Sequence, residues 1–261
     1  MVNAKTAMSL TRVVRRALKA RRAKSRLVRF IVRLHRGLRA PWKFCTDPTY
    51  RAVVRIRLRR PEDLQQTTVL TSLNRYPELF AAACEYLQRL PEPRVLSYGC
   101  ATGEEVVSLR SYLPGAWIVG AEINPQSLQT ARKRATDDRI QFVESDPARI
   151  SALGPYDAIF CLAVLQRTPQ RILEEGISSL ERIYPFRKFD DKVNELDSWL
   201  KREGLLAMHH AQYRLADATV GHKYEPLKGA EALRDGGPKF DRQSQRLPDE
   251  AVCSVFTKVR D

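Results

Sequence analysis

Arg94-Val95-Leu96-Ser97-Tyr98-Gly99-Cys100-Ala101-Thr102-Gly103-Glu104-Glu105 is the stretch on which the fold turns. A short apolar run enters a turn holding two glycines, and Val106, Leu109 and Leu113 then recur on one helical face. Strand, glycine-rich turn and helix in that order open a βαβ unit, and glycine there lets the backbone approach a ligand closely. Further apolar runs at residues 117–121, 140–143, 158–162 and 205–208 are separated by helical patterns. The region therefore predicts an α/β fold, a doubly wound, largely parallel sheet of seven strands, with the run 251–259 supplying an edge pair. Asn124 ahead of Pro125 is a cap followed by a residue whose missing N–H costs nothing at a helix start, so a helix is expected over 125–135. A helix over 77–90 leads into this core, and the Gly-, Lys- and Asp-rich stretch 213–249 reads as a long excursion, part of a substrate lid.

The chemistry of the turn narrows the ligand. A dinucleotide fingerprint wants glycine at 101 and 104, where Ala101 and Glu104 stand. Glu104 and Glu105 would confront a pyrophosphate with two negative charges, which argues against a dinucleotide-dependent oxidoreductase. Carboxylates at a helix N-terminus instead suit a ligand that has no phosphate and carries positive charge. Glu122 ends the second strand, where an acid accepts from both hydroxyls of a ribose, and Asp146 follows the third, placed to accept from an adenine amino group.

Motif order and spacing from about Val95 to Met208 resemble the class I S-adenosylmethionine-dependent methyltransferases. The resemblance implies that Gly99, Ala101 and Gly103 cradle the amino acid end of S-adenosylmethionine, that Glu122 holds the ribose and that Asp146 holds the adenine. Tyr98, Cys100, Ile123 and Cys161 are the further candidates for the cofactor pocket. Tyr156-Asp157-Ala158-Ile159-Phe160-Cys161 is similar to the family's fourth motif, and Leu200-Lys201-Arg202-Glu203-Gly204-Leu205-Leu206 to the loop and strand after its fifth helix. Ala101 departs from the usual glycine. Thr102-Gly103-Glu104-Glu105 is also similar to the chemotaxis receptor glutamate methyltransferases, over too short a run to carry their substrate across.

A sulfonium methyl is already activated, so the protein's expected contributions are positioning, exclusion of water and, for a poor nucleophile, removal of a proton. His209 and His210 at the end of the fifth strand are the candidate general bases, and Gln166 and Arg167 candidate substrate contacts. No metal is expected. The acceptor class expected is a small molecule or lipid-like substrate.

Charge divides the chain unequally. Residues 1–60 hold 19 Lys and Arg against one acid, Asp47, a net of +18, whereas residues 61–261 hold 26 basic and 29 acidic residues, a net of −3. Two domains are expected, a basic helical arm over 1–75 and the α/β domain over 76–261. Leu10, Val14, Ala17, Leu27, Ile31, Leu34 and Leu38 recur among the arginines as in basic amphipathic helices, attracted to an anionic membrane surface or to nucleic acid. A protein that binds such a partner and keeps a methyltransferase-like fold only as scaffold is the competing reading, and failure to bind S-adenosylmethionine would favour it. The run 27–34 is too short and too charged to cross a bilayer. Five scattered cysteines suggest reduced thiols and a cytoplasmic protein. The Arg-rich, acid-poor N-terminus also fits mitochondrial targeting, although serine is scarce.

Overall fold

A computed structural model describes residues 41–135 and 137–261. The helices expected between Leu10 and Leu38 lie outside the described residues. After helix α1 (Pro48–Arg59) and helix α2 (Pro77–Leu87), strands and helices alternate: β1 (Arg94–Tyr98), α3 (Glu104–Tyr112), β2 (Trp117–Glu122), α4 (Pro125–Arg132), β3 (Ile140–Glu144), α5 (Pro147–Leu153) and β4 (Tyr156–Leu162). Helices α6 (Pro169–Glu175) and α7 (Phe186–Trp199) lead into β5 (Leu200–His209). Short strands β6 (Tyr224–Pro226), β7 (Arg234–Asp235), β8 (Val252–Cys253) and β9 (Val255–Lys258) complete the chain.

The main sheet has seven strands in the order β3-β2-β1-β4-β5-β9-β6. The first five are parallel, and β9 runs antiparallel between β5 and β6. The order reverses direction between β1 and β4, the place where doubly wound sheets bind ligands beyond their carboxyl ends. Side chains alternate across the sheet. Val95 and Ile118 pack with Phe80, Val106 and Leu128 of α2, α3 and α4. Leu96 and Val119 pack on the other face with Ile150, Ile172 and Val193 of α5, α6 and α7. With both faces covered, β2 is buried from its second residue to its last, so its sequence reads as a continuous apolar run rather than an alternating one. Asn124 caps α4 as expected, accepting from the Gln126 and Ser127 amides.

Two boundaries differ from the sequence reading. Ala52–Asp261 clusters as one compact unit, which takes in residues 52–75 that the sequence reading gave to the basic arm. The stretch 213–249 is no loose lid. Leu215, Tyr224, Leu227 and Phe240 are buried, the Tyr213 hydroxyl donates to the Tyr184 carbonyl, and a buried Lys239–Asp235 ion pair ties the stretch internally. Gly, Lys and Asp in that run form turns and buried ion pairs, which conceal the packing from a search for periodicity.

Candidate active site

An open cavity of about 960 Å³, counting space continuous with solvent, lies beyond the carboxyl ends of β1, β2 and β4. Its floor is the glycine turn. Gly99 (φ +76°) must be glycine, since a Cβ there would sit 2.6 Å from Val164 Cγ2 and the left-handed backbone disfavours any other residue. Ala101 is also left-handed, at φ +51°, so the replacement of glycine there is costly in conformation rather than in bulk. Glu122 secures the loop. Its buried carboxylate accepts from the Ala101 amide at 2.9 Å and from the Asn124 amide at 2.7 Å, with the Ile123 amide also bonded to it. Burial nevertheless pushes its pKa up. A carboxylate has about four lone-pair sites, so acceptor capacity is left for a ligand hydroxyl.

The two adjacent acids of the turn have opposite fates. Successive helical residues point about 100° apart, which sends Glu104 outward to Arg134 at 2.8 Å and Glu105 into the cavity. Glu105 accepts from the Ser97 hydroxyl at 2.7 Å and has no ion pair among the described residues. Removal from bulk water raises its pKa to about 7. Arg75 also lines the cavity; its guanidinium lies 5.1 Å over the Tyr76 ring and donates to the Leu70 carbonyl. The roof is the irregular segment from Asp63 to Ser72, with Val53 and Ile56 of α1.

Of the cofactor candidates, Tyr98, Gly99, Cys100, Ala101, Glu122 and Ile123 line this cavity, joined by Asn124 and Ser145. Gly103, Asp146 and Cys161 do not. Gly103 (φ +93°) begins α3, and its missing Cβ lets α4 approach, Ala131 lying 3.2 Å from where that atom would be. The Asp146 carboxylate caps α5 by accepting from the Arg149 amide, leaving Ser145 at the cavity wall. Cys161 is core, and its thiol is pushed well up by burial. Gln166 is buried, and Arg167 donates to the Leu64 carbonyl.

His209 and His210 stand behind the cavity. Tyr76 lines the cavity, which neither histidine does, and packs edge-on to both, its ring centroid 5.3 Å from that of His209 and 5.9 Å from that of His210. The Tyr76 hydroxyl is buried without a partner among the described residues, and burial lifts its pKa to about 12. Burial lowers His209 to about 4, so this ring is neutral, with Nδ1 2.8 Å from the Ser254 hydroxyl. His210 Nδ1 lies 3.5 Å from Asp235. Ligand atoms of His209, His210 and Asp235 fall within 4.8 Å of one another. The Lys239 ammonium, 2.7 Å from Asp235, already supplies the cation there. Arg75, Tyr76 and the segment 63–72 are cavity residues that the sequence reading did not single out, whereas it read Glu104 and Glu105 together and the structure brings only Glu105 to the cavity.

Residues 95–184 match the family model described as a methyltransferase domain. This segment is similar to methyltransferase domains. The chain is 33% identical over 90 residues to a trans-aconitate 2-methyltransferase of Methylobacterium nodulans, covering 33% of this chain and 34% of that protein. A release factor glutamine methyltransferase of Deinococcus radiodurans is 29% identical over 82 residues, 31% of this chain and 30% of that one. The matched segment thus spans about a third of these curated relatives. Among solved structures, the plantazolicin methyltransferase BpumL in complex with SAH aligns with a TM-score of 0.36 at 16% identity, over 64% of this chain and 55% of that one. The methyltransferase domain contributes the cavity floor and β4, whereas Arg75, Tyr76 and the roof precede the matched residues.

Proposed function

We propose that the chain transfers a methyl group from S-adenosylmethionine to a small-molecule or lipid-like acceptor. The observation that carries this reading is one cavity lined by a carboxylate with no ion pair among the described residues, Glu105, by a guanidinium, Arg75, and by an acceptor, Glu122, at the adjacent strand end. A zwitterionic amino acid end requires an anion and a cation, and a ribose requires an acceptor; no group in the floor is suited to a pyrophosphate.

The bound cofactor supplies a methyl group already activated by its sulfonium. Glu105 offers its carboxylate to the ligand's ammonium and Arg75 donates to the ligand's carboxylate. Glu122 and the amides it bonds hold the turn in its ligand-binding shape. Tyr76, protonated at neutral pH, presents a donor at the wall facing the acceptor side. For an acceptor that must lose a proton and that extends past the Tyr76 ring, His210 receives it and Asp235 orients the ring, while His209 stays neutral.

Calorimetry of the full chain with S-adenosylmethionine and its demethylated product tests the cofactor half, saturable one-to-one binding being the expected result. Labelled S-adenosylmethionine incubated with cell extract, then separated into lipid, small-molecule, protein and nucleic-acid fractions, tests the other half. On the fraction that takes label, His210→Gln is expected to lower turnover roughly 10- to 100-fold with cofactor affinity intact. Unchanged turnover removes His210 from the chemistry. Absence of cofactor binding in the wild-type chain sinks the whole reading.

A further inference from the structure

We propose that the cavity mouth is a membrane-contacting rim, in which α1 and residues 67–73 rest on an anionic lipid surface and the methyl acceptor is an amphiphile taken from that surface. The clause about the acceptor rests on the methyl-transfer reading above; the rim itself does not.

Eight large apolar side chains stand exposed among the described residues, and four of them, Leu58 (77%), Val69, Leu70 (69%) and Leu73 (58%), fall within 16 positions of one another. Single exposed apolar residues are ordinary, but a cluster of them beside a ligand cavity marks a contact surface. This strip borders the cavity, since Val53, Ile56 and residues 63–72 line it. In α1, Ala52 and Ile56 turn inward and are buried. Arg55, Leu58 and Arg59, spaced three and four apart on one helical face, are exposed, as is Arg57. Leucine flanked by arginines whose aliphatic stems reach upward to phosphate is the pattern of a helix lying in the interface.

Charge decides which partner fits. Helix α1 has no acid in its sequence, and residues 1–40 bring 13 further Lys and Arg and no acid. Nothing N-terminal to Asp47 can neutralise the arginines of α1, so the neutralising groups must come from outside this region. Nucleic acid would meet the arginines and leave Leu58, Leu70 and Leu73 in water. An anionic lipid surface satisfies both sets, and no described helix is long and apolar enough to span the bilayer, so the contact is peripheral. An acceptor that partitions into the interface would then reach the cavity without crossing water.

The test is flotation of the full chain with vesicles of phosphatidylcholine alone or mixed with phosphatidylglycerol. The expected result is binding to the mixed vesicles at low salt and release as salt rises. The double variant Leu58→Glu/Leu73→Glu should lose most of this binding, and Arg55→Gln/Arg57→Gln/Arg59→Gln should weaken it on the order of 100-fold, about fivefold per arginine. None of these five residues lines the cavity, so retained binding of the demethylated cofactor shows that each variant is folded. The rim is overturned if the intact chain never floats with anionic vesicles at low salt, if both variants float as well as the wild type, or if the variants lose retention on RNA while vesicle binding persists. Label from S-adenosylmethionine recovered in the aqueous instead of the lipid-extractable fraction overturns the acceptor clause alone. A wild-type chain that binds vesicles but not the cofactor breaks the methyl-transfer reading and leaves the rim standing.

Discussion

The two walls of the cavity are made by different means. The floor, Tyr98 to Ala101 with Glu122 and Asn124, hangs from the ends of parallel strands and is fixed by backbone bonds: the Gly99 and Cys100 amides donate to the Ala121 carbonyl, and the Ala101 and Asn124 amides donate to Glu122. The roof, residues 63–76, is irregular chain with exposed leucines, and among the described residues the hydrogen bond and ring contact of Arg75 fall within its own segment, to the Leu70 carbonyl and the Tyr76 ring. A wall on a rigid scaffold contributes to folding and binding together, whereas a wall on a loop contributes to binding with little share in folding. Substitutions on the two walls should therefore separate stability from affinity.

Glu122→Ala is expected to have the largest effect because it strikes both. Besides removing a ligand acceptor worth about 1.5–3 kcal/mol, it frees the amides of Ala101 and Asn124 and releases Ala101 from its left-handed conformation. Affinity for the demethylated cofactor should fall more than about 100-fold, and Tm by several degrees, at roughly 2–4 °C per kcal/mol for a domain of this size. If calorimetry and a thermal melt show the affinity loss with Tm unchanged, the floor is not the shared element described here.

Arg75→Ala should show the opposite split. Loss of a charge-assisted contact predicts affinity reduced roughly 10- to 100-fold, while Tm moves by less than about 2 °C, as for substitutions away from core and caps. Arg75→Lys should recover part of the affinity through charge without the fork geometry of the guanidinium. A Tm loss as large as that of Glu122→Ala would place the roof in the folding core.

The same contrast explains what the sequence makes legible. The floor lies where two periodicities meet, strand into helix, and glycines and acids at that junction stand out against apolar runs; for that reason Gly99, Ala101 and Glu122, which line the cavity, are conspicuous in the sequence. The roof has no period. Arg75 sits between exposed leucines and a proline, with nothing local to distinguish it from a solvated arginine, and the boundary expected at residue 75 cut it from the site it completes. Asp146 is ambiguous in sequence because one carboxylate after a strand serves equally as ligand acceptor and as cap of the next helix, and here its Oδ1 accepts from the Arg149 amide while Ser145 lines the cavity. His209 ends β5 and His210 follows it, but the cavity-lining ring that packs on both, Tyr76, comes from over 130 positions away in sequence.

The finest distinction lies within the floor, between Glu104 and Glu105, and pH resolves it. Glu104 is neutralised by Arg134, whereas burial raises Glu105 from 4.5 to about 7. Between those two values the folded state holds a proton that the unfolded chain releases, so the contribution of Glu105 to stability is complete below pH 4.5 and is lost as pH rises through about 7. Ligand binding runs the other way. A ligand bearing an ammonium and a sulfonium prefers the ionised carboxylate, so its affinity should rise about tenfold between pH 6 and 8 and then level off, with proton release accompanying binding below the plateau. Glu105→Gln should abolish both slopes, leaving a protein whose stability is flatter across this window and whose affinity is low throughout. Glu104→Gln should leave the affinity slope untouched, because its carboxylate faces Arg134 outside the cavity. Calorimetry in two buffers of different ionisation enthalpy measures the proton directly; equal enthalpies in both at pH 6.5 would mean that Glu105 is already ionised in the free protein, and the assignment of the ligand's ammonium to it would fall.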